Sequence, residues 1–145
     1  MGLKISNQQK IHPARPARIR ANVRKILNVL GCPKAELSLV LVDDEEMARL
    51  NSEYLGHEGP TNVISFPMLE GEFAGMNPDI LGDVVISMET TLAHARDGGY
   101  TPEEMLDFYL IHGILHLLGY DHVNDPEEAA RMEARTREIW DMMDH

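Results

Sequence analysis

At 145 residues, 43% of them hydrophobic, the chain is long enough to bury one real core, and residues 1–145 are expected to form a single domain. No apolar run approaches the roughly 18–20 residues of a membrane span, no signal-peptide core stands near the start, and the lone Cys32 excludes an internal disulfide, so a cytoplasmic protein with no membrane partner is expected. The net charge of −11 looks wrong for an RNA-binding protein, but residues 1–25 hold seven Lys and Arg with no acid, which leaves −18 in residues 26–145 and suggests either a basic patch on an acidic body or a solvated, intramolecularly paired helix face.

Residues 3–8 read as a short strand, and Pro13 to Leu30 as a helix with Ile19, Val23, Ile26, Leu27 and Leu30 on one apolar stripe, stopped by Gly31 and Pro33. Leu37 to Val42 is a mostly apolar strand suited to the middle of a sheet, and Asp43 with Glu46 then forms a capping-box pattern for a helix reaching about Tyr54. Thr61 to Phe66 reads as an edge strand ended by Pro67, with Thr61, Asn62 and Ser65 as its polar groups. The Gly-rich stretch Glu70 to Asp79 predicts a long loop placed like a flap, followed by a strand over Gly82 to Met88 and a helix over Met88 to Gly98. Thr101-Pro102-Glu103-Glu104 supplies an N-cap, a Pro at the first helical position and a capping-box Glu for a central helix. Asp125-Pro126-Glu127-Glu128 repeats the signature for a last helix to about Met143. The order β-α-β-α-β-β-α-α-α implies an α+β fold in which a small mixed sheet packs against about five helices, the central one buried.

That central helix carries the chemistry. His112 and His116, four apart, project from one helical face about one turn apart, as two ligands of one metal must. Gly119 suits the left-handed position that ends a helix, so Tyr120 and Asp121 can turn the chain and bring back His122 as a third ligand. Three His with a fourth position open to water is the catalytic arrangement for zinc, one ion per chain. The competing reading is a set of ordinary core histidines. From Phe108 to Tyr120 no residue is charged, so the helix should be buried, and imidazoles left without partners there would each cost about 1–3 kcal/mol. Ligation removes that cost.

The spacing follows the long zincin pattern H-E-x-x-H-x-x-G-x-x-H, with one departure: Gly113 stands where the peptidases carry the Glu that serves as general base. A standard metallopeptidase mechanism is therefore disfavoured. Asp121 or backbone carbonyls can accept from the ligand imidazoles, and Asp83, following a Gly before a strand, is the other placed carboxylate, with a turn residue as its competing role.

The residues H-G-x-L-H-L-x-G-Y-D-H at 112–122, read with Thr61-Asn62-Val63-Ile64-Ser65-Phe66-Pro67 and Leu81-Gly82-Asp83, closely resemble the bacterial YbeY family. The resemblance runs from about Leu50 to the C-terminus and before that is one of element order. It implies a zinc-dependent, single-strand-selective endoribonuclease acting on ribosomal RNA and ribosomal particles, in rRNA maturation and ribosome quality control. It also implies that the strand over residues 61–66 borders the substrate. The family typically carries an Arg six residues before the Thr of the T-N-V-x-S-F-P stretch, thought to bind phosphate; here Leu55 holds that place, within Tyr54-Leu55-Gly56-His57-Glu58. Leu makes no bidentate phosphate contact, whereas His57 can carry positive charge near neutral pH and is the candidate substitute. Two alternatives follow from the departures: a metallohydrolase of another substrate such as a peptide, which Gly113 opposes, or a metal-stabilised ribosome-associated module with weak catalysis, which Leu55 allows.

Overall fold

The computed structural model of the chain describes residues 1–56, 59, 61–68, 79–120 and 125–143. These form strands β1 (Gly2–Asn7), β2 (Glu36–Val42), β3 (Val63–Pro67) and β4 (Ile80–Ser87) and helices α1 (Pro16–Val29), α2 (Asp44–Leu55), α3 (Met88–Gly98), α4 (Pro102–Leu117) and α5 (Pro126–Met142). The sheet runs β1-β2-β4-β3, with β1, β2 and β4 parallel and β3 antiparallel at the edge, so the mixed α+β architecture expected from the element order is present.

Strand alternation sorts the two faces of the sheet. Leu37, Leu39 and Leu41 of β2 and Val84 and Ile86 of β4 join Ile19, Val23, Ile26 and Leu27 of α1, the apolar residues of α4, and Met132 and Ile139 of α5 in the main core. On the other face Val42, Ile64 and Val85 pack with Met47 of α2 in a smaller cluster. Cys32 is half-buried against the main core, and its burial raises the thiol pKa, which fits a packing residue.

Local chemistry explains where the elements begin and end. Helix α1 starts at Pro16 rather than Pro13, because a residue before proline is disfavoured in the right-handed helical region; Arg15 adopts the left-handed one, at φ 52°. Asp43 accepts from the Glu46 amide at 2.9 Å, but the Glu46 carboxylate turns to Arg49 instead of closing the box. Thr101 and Glu104 close theirs in both directions. Asp125 caps α5 through the Glu127 amide at 2.9 Å. Of the loop expected over Glu70–Asp79, only Asp79 is among the described residues. No helix among the described residues is long and apolar enough to cross a membrane.

Candidate active site

Helix α4 runs through the core with Leu106, Asp107, Tyr109, Leu110, Ile111, Gly113, Ile114, Leu115 and Leu117 buried. Beyond its half-buried first turn, the helix opens along a stripe at four-residue spacing: Phe108 is 38% exposed, and His112 and His116 follow it, half-buried. The helix is thus buried as expected, and its histidines stand at the window. Their Nε2 atoms lie 3.0 Å apart, with ring centroids 4.5 Å apart and planes at 75°.

Two nitrogens so placed share either a proton or a cation. Ligands of a tetrahedral zinc at about 2.0–2.1 Å stand roughly 3.3 Å from each other, so a slight opening of this pair fits such an ion. Among the described residues no third His, Cys, Asp or Glu completes a cluster with them. The expected third ligand His122, the expected acceptor Asp121 and the loop residue His57 all lie outside the described residues. Gly119 does what its position predicted. At φ +95° it donates to the His116 carbonyl while Tyr120 donates to the Leu115 carbonyl, each at 3.0 Å, a Schellman ending that turns the chain at Gly119, just past the last helical residue Leu117.

Gly113 has a steric reason that the sequence did not disclose. A β-carbon there would stand 2.6 Å from Val84 Cγ1 and 3.3 Å from Val63 Cγ2, so α4 lies on β3 and β4 at a distance that only glycine permits. Ser65 of β3 then donates through Oγ to the Gly113 carbonyl at 2.9 Å, tying the edge strand to the turn of α4 between the two histidines. A second tie runs through Tyr109. Its hydroxyl is bonded to His94 Nδ1 of α3 and to the Asn62 side chain, and burial raises its pKa while the bond with Asn62 opposes the rise. The polar residues Asn62 and Ser65 thus anchor β3 beside the histidine face.

Asp83 is not brought to the histidines. On β4 its side chain alternates with Val84, which faces Gly113, so Asp83 points to the opposite face of the sheet, exposed in a shallow recess with Lys4, Glu36 and Ser38. Leu55 is the last residue of α2, 46% exposed, before Gly56 in the left-handed cap position.

The basic N-terminal segment is partly consumed inside the protein. Arg18 reaches the carboxylate of Asp107, 1% exposed, with two parallel bonds of 3.0 and 2.7 Å, and Asn22 donates to the same carboxylate at 2.8 Å. Arg20 donates to the Leu3 carbonyl, and Arg15 and His12 approach Glu103. The alternative of an intramolecularly paired helix face is thus met at Arg18, although the charge distribution along the chain did not name the partner. The one available hint was Asp107 itself, an acid directly before an uncharged helical run.

Comparison with known proteins agrees with this architecture. The profile of the family described as Endoribonuclease YbeY matches residues 4–144. A protein of Syntrophus aciditrophicus named Endoribonuclease YbeY is 47% identical over 141 residues, 97% of this chain and 88% of its own length. One of Geobacter metallireducens with the same name is 48% identical over 145 residues, 99% of this chain and 97% of its own. The solution structure of TM1509 from Thermotoga maritima superposes with a TM-score of 0.69 at 24% identity, covering 97% of this chain and 87% of that one, and shares the fold.

Proposed function

The chain belongs to the YbeY family of endoribonucleases, enzymes that cut RNA within the strand by hydrolysis, and from that premise we propose a zinc-dependent, single-strand-selective endoribonuclease acting on ribosomal RNA in maturation and ribosome quality control. The observation that carries the zinc reading is the convergence of His112 and His116 Nε2, 3.0 Å apart, on the half-buried stripe of an otherwise mostly buried helix. In this proposal His112, His116 and His122 hold one ion, with rRNA and ribosomal particles as partners in the cytoplasm. When bound, zinc supplies a Lewis acid for a phosphoryl oxygen and a water of lowered pKa.

The chain's own residues do the rest. Neutral imidazoles add no negative charge around the ion, which suits an anionic phosphodiester. Each ring needs an acceptor at its other nitrogen to fix its tautomer, and Asp121 is the acceptor nearest in sequence to His122. Ser65 and Asn62 hold the β3 edge beside the histidines, where an extended strand of substrate can lie. The exposed Asp83 on the far face takes no part in this reaction. His57 is the proposed cationic contact to phosphate in place of the family Arg.

A peptide substrate is opposed by the packing at Gly113: the site has no carboxylate at the peptidase position, and the 2.6 Å approach of Val84 leaves no space for one without moving the helix. A weakly catalytic, ribosome-associated module is the second reading, favoured by Leu55 at the phosphate position. Incubating the protein with labelled rRNA and with casein, each with and without chelator, decides among the three. Chelator-sensitive cutting of rRNA alone is expected; cutting of casein, or metal-dependent rRNA binding without cutting, would replace the proposal with one of its rivals.

A further inference from the structure

A groove of about 720 Å³ runs between α4 and α5, and His112 lies at its wall together with Tyr100, Met105, Phe108, Met132 and Trp140. Phe108 meets Trp140 edge to face at 6.5 Å, while Tyr100, 51% exposed, stands at the mouth. Glu104, Glu133 and Arg137 line the groove as well, and Arg137 is bridged to Glu133 at 3.2 Å.

We propose that this groove is a base-binding subsite: it takes unstacked nucleobases of a single-stranded RNA whose backbone is thereby led along α4 to the histidine pair. The inference rests on the endoribonuclease reading and adds the surface that selects single strands. Several features favour bases over other occupants. The stripe Phe108-His112-His116 makes the aromatic floor continuous with the candidate site, one helical turn per step. Exposed aromatic faces stack on any base that is not already paired, and a duplex offers none, so the surface discriminates by strandedness. Acid outnumbers base along the groove, Glu104 and Glu133 against Arg137, which disfavours phosphate inside it, so the sugar-phosphate chain stays outside while the bases enter. The volume is that of a small-ligand site rather than of a helix-sized cleft.

Trp140 is the only tryptophan of the chain, which makes it a local reporter. The zinc-loaded protein is titrated with an end-labelled 2′-O-methyl oligoadenylate and, separately, with the same backbone carrying abasic sites, while Trp140 emission and label anisotropy are followed together. Quenching of Trp140 by the oligoadenylate but not by the abasic backbone is expected. Phe108→Ala and Tyr100→Ala should each weaken oligoadenylate binding roughly 5- to 150-fold, the effect of removing one stacking partner, with unchanged zinc content, and Phe108→Tyr should restore it. Tyr100, exposed at the groove mouth, serves the test even if Phe108→Ala loosens α4.

An anisotropy change with silent Trp140 emission and equal affinity for the abasic backbone would overturn the base subsite while leaving RNA binding and the endoribonuclease reading intact. Quenching by an apolar amphipathic peptide, with none by the oligoadenylate, would also overturn it and assign the groove to a protein partner. If neither oligonucleotide binds and labelled rRNA stays uncut, both this inference and the reading beneath it fall together.

Discussion

Ser65 Oγ donates to the carbonyl oxygen of Gly113 at 2.9 Å, and the α-carbon of that glycine sits where a β-carbon would strike Val84 Cγ1 at 2.6 Å. One residue therefore sets both how closely α4 approaches the sheet and how the edge strand is tied to it. Gly113→Ala gains about 1 kcal/mol in helix propensity but overpacks a β-branched neighbour at a cost of about 1–3 kcal/mol. A net destabilisation is expected, seen as a melting temperature lower by a few degrees. A variant as stable as the parent would show that α4 can lift from β4 freely. Gly113→Glu, which copies the peptidase sequence, is expected to unfold more readily still and to gain no peptidase activity.

The Arg18–Asp107 pair calls for a different expectation. Removing Arg18 leaves a carboxylate that is 1% exposed without its two charge-assisted bonds, and breaking a buried pair on one side typically costs about 3–5 kcal/mol. Asn22 retains one bond and limits the damage, so Arg18→Ala should fall at the low end in chemical denaturation. The joint replacement Arg18→Met with Asp107→Leu should recover most of the stability. If the double variant is no more stable than Arg18→Ala, the pair's value lies in something other than charge burial.

It follows that Arg18 is a poor probe of RNA binding. The exposed Lys10 and Arg24 are available to phosphate, and replacing them should flatten the salt dependence of RNA affinity on single strands by about 0.7 for every phosphate that is no longer neutralised. Arg18→Lys, by contrast, should leave the slope alone. A slope unmoved by Lys10→Gln with Arg24→Gln would mean that the N-terminal charge serves the acidic body and not RNA.

Much of the site was legible because its rules are local. Four-residue spacing placed His112 and His116 on one face, and Gly119 was readable as a left-handed terminus from its place after the apolar run. The capping signatures at Asp43, Thr101 and Asp125 marked helix starts to the residue. What escaped were facts set by contacts between distant segments. Gly113 read as a missing base, whereas its packing against Val84 is visible only once β4 lies under α4. Asp83 looked placed for chemistry until alternation along β4 fixed which way it faces, and a bulge at Leu81, between the residues paired with Glu36 and Leu37, shifts that register. The partner of Arg18 escaped for the same reason: Asp107 is 89 residues away in sequence. The groove between α4 and α5 depends on helix packing that no pattern in either helix announces.

Metal removal tests the histidine set. His116→Ala takes away one of two nitrogens already converged at 3.0 Å, so zinc affinity is expected to drop by orders of magnitude while the helix, whose Schellman ending uses backbone groups alone, stays intact. Circular dichroism should be near parental, and metal analysis in metal-controlled buffer should find less than one equivalent. Retention of one tightly held zinc would remove His116 from the ligand set.

Leu55 offers the sharpest test of catalytic strength. It is the last residue of α2, 46% exposed, directly before Gly56 in the left-handed cap position, so an Arg there meets no steric bar. A cation in the last turn also lies at the negative end of the helix dipole, and α2 has no basic residue in that turn, so Leu55→Arg should be neutral or slightly stabilising. Any change in rate is then a change in chemistry rather than in folding. A donor preorganised for charge that develops on the phosphate is typically worth about 10²–10³ in rate. Leu55→Arg is therefore expected to speed single-turnover RNA cleavage at matched zinc occupancy, and His57→Ala to slow it if His57 has taken over the contact. Single-turnover conditions isolate the chemical step from product release. Should Leu55→Arg leave the rate untouched in a parent that already cuts efficiently, the phosphate is stabilised by other groups, and this end of α2 is not the catalytic weak point.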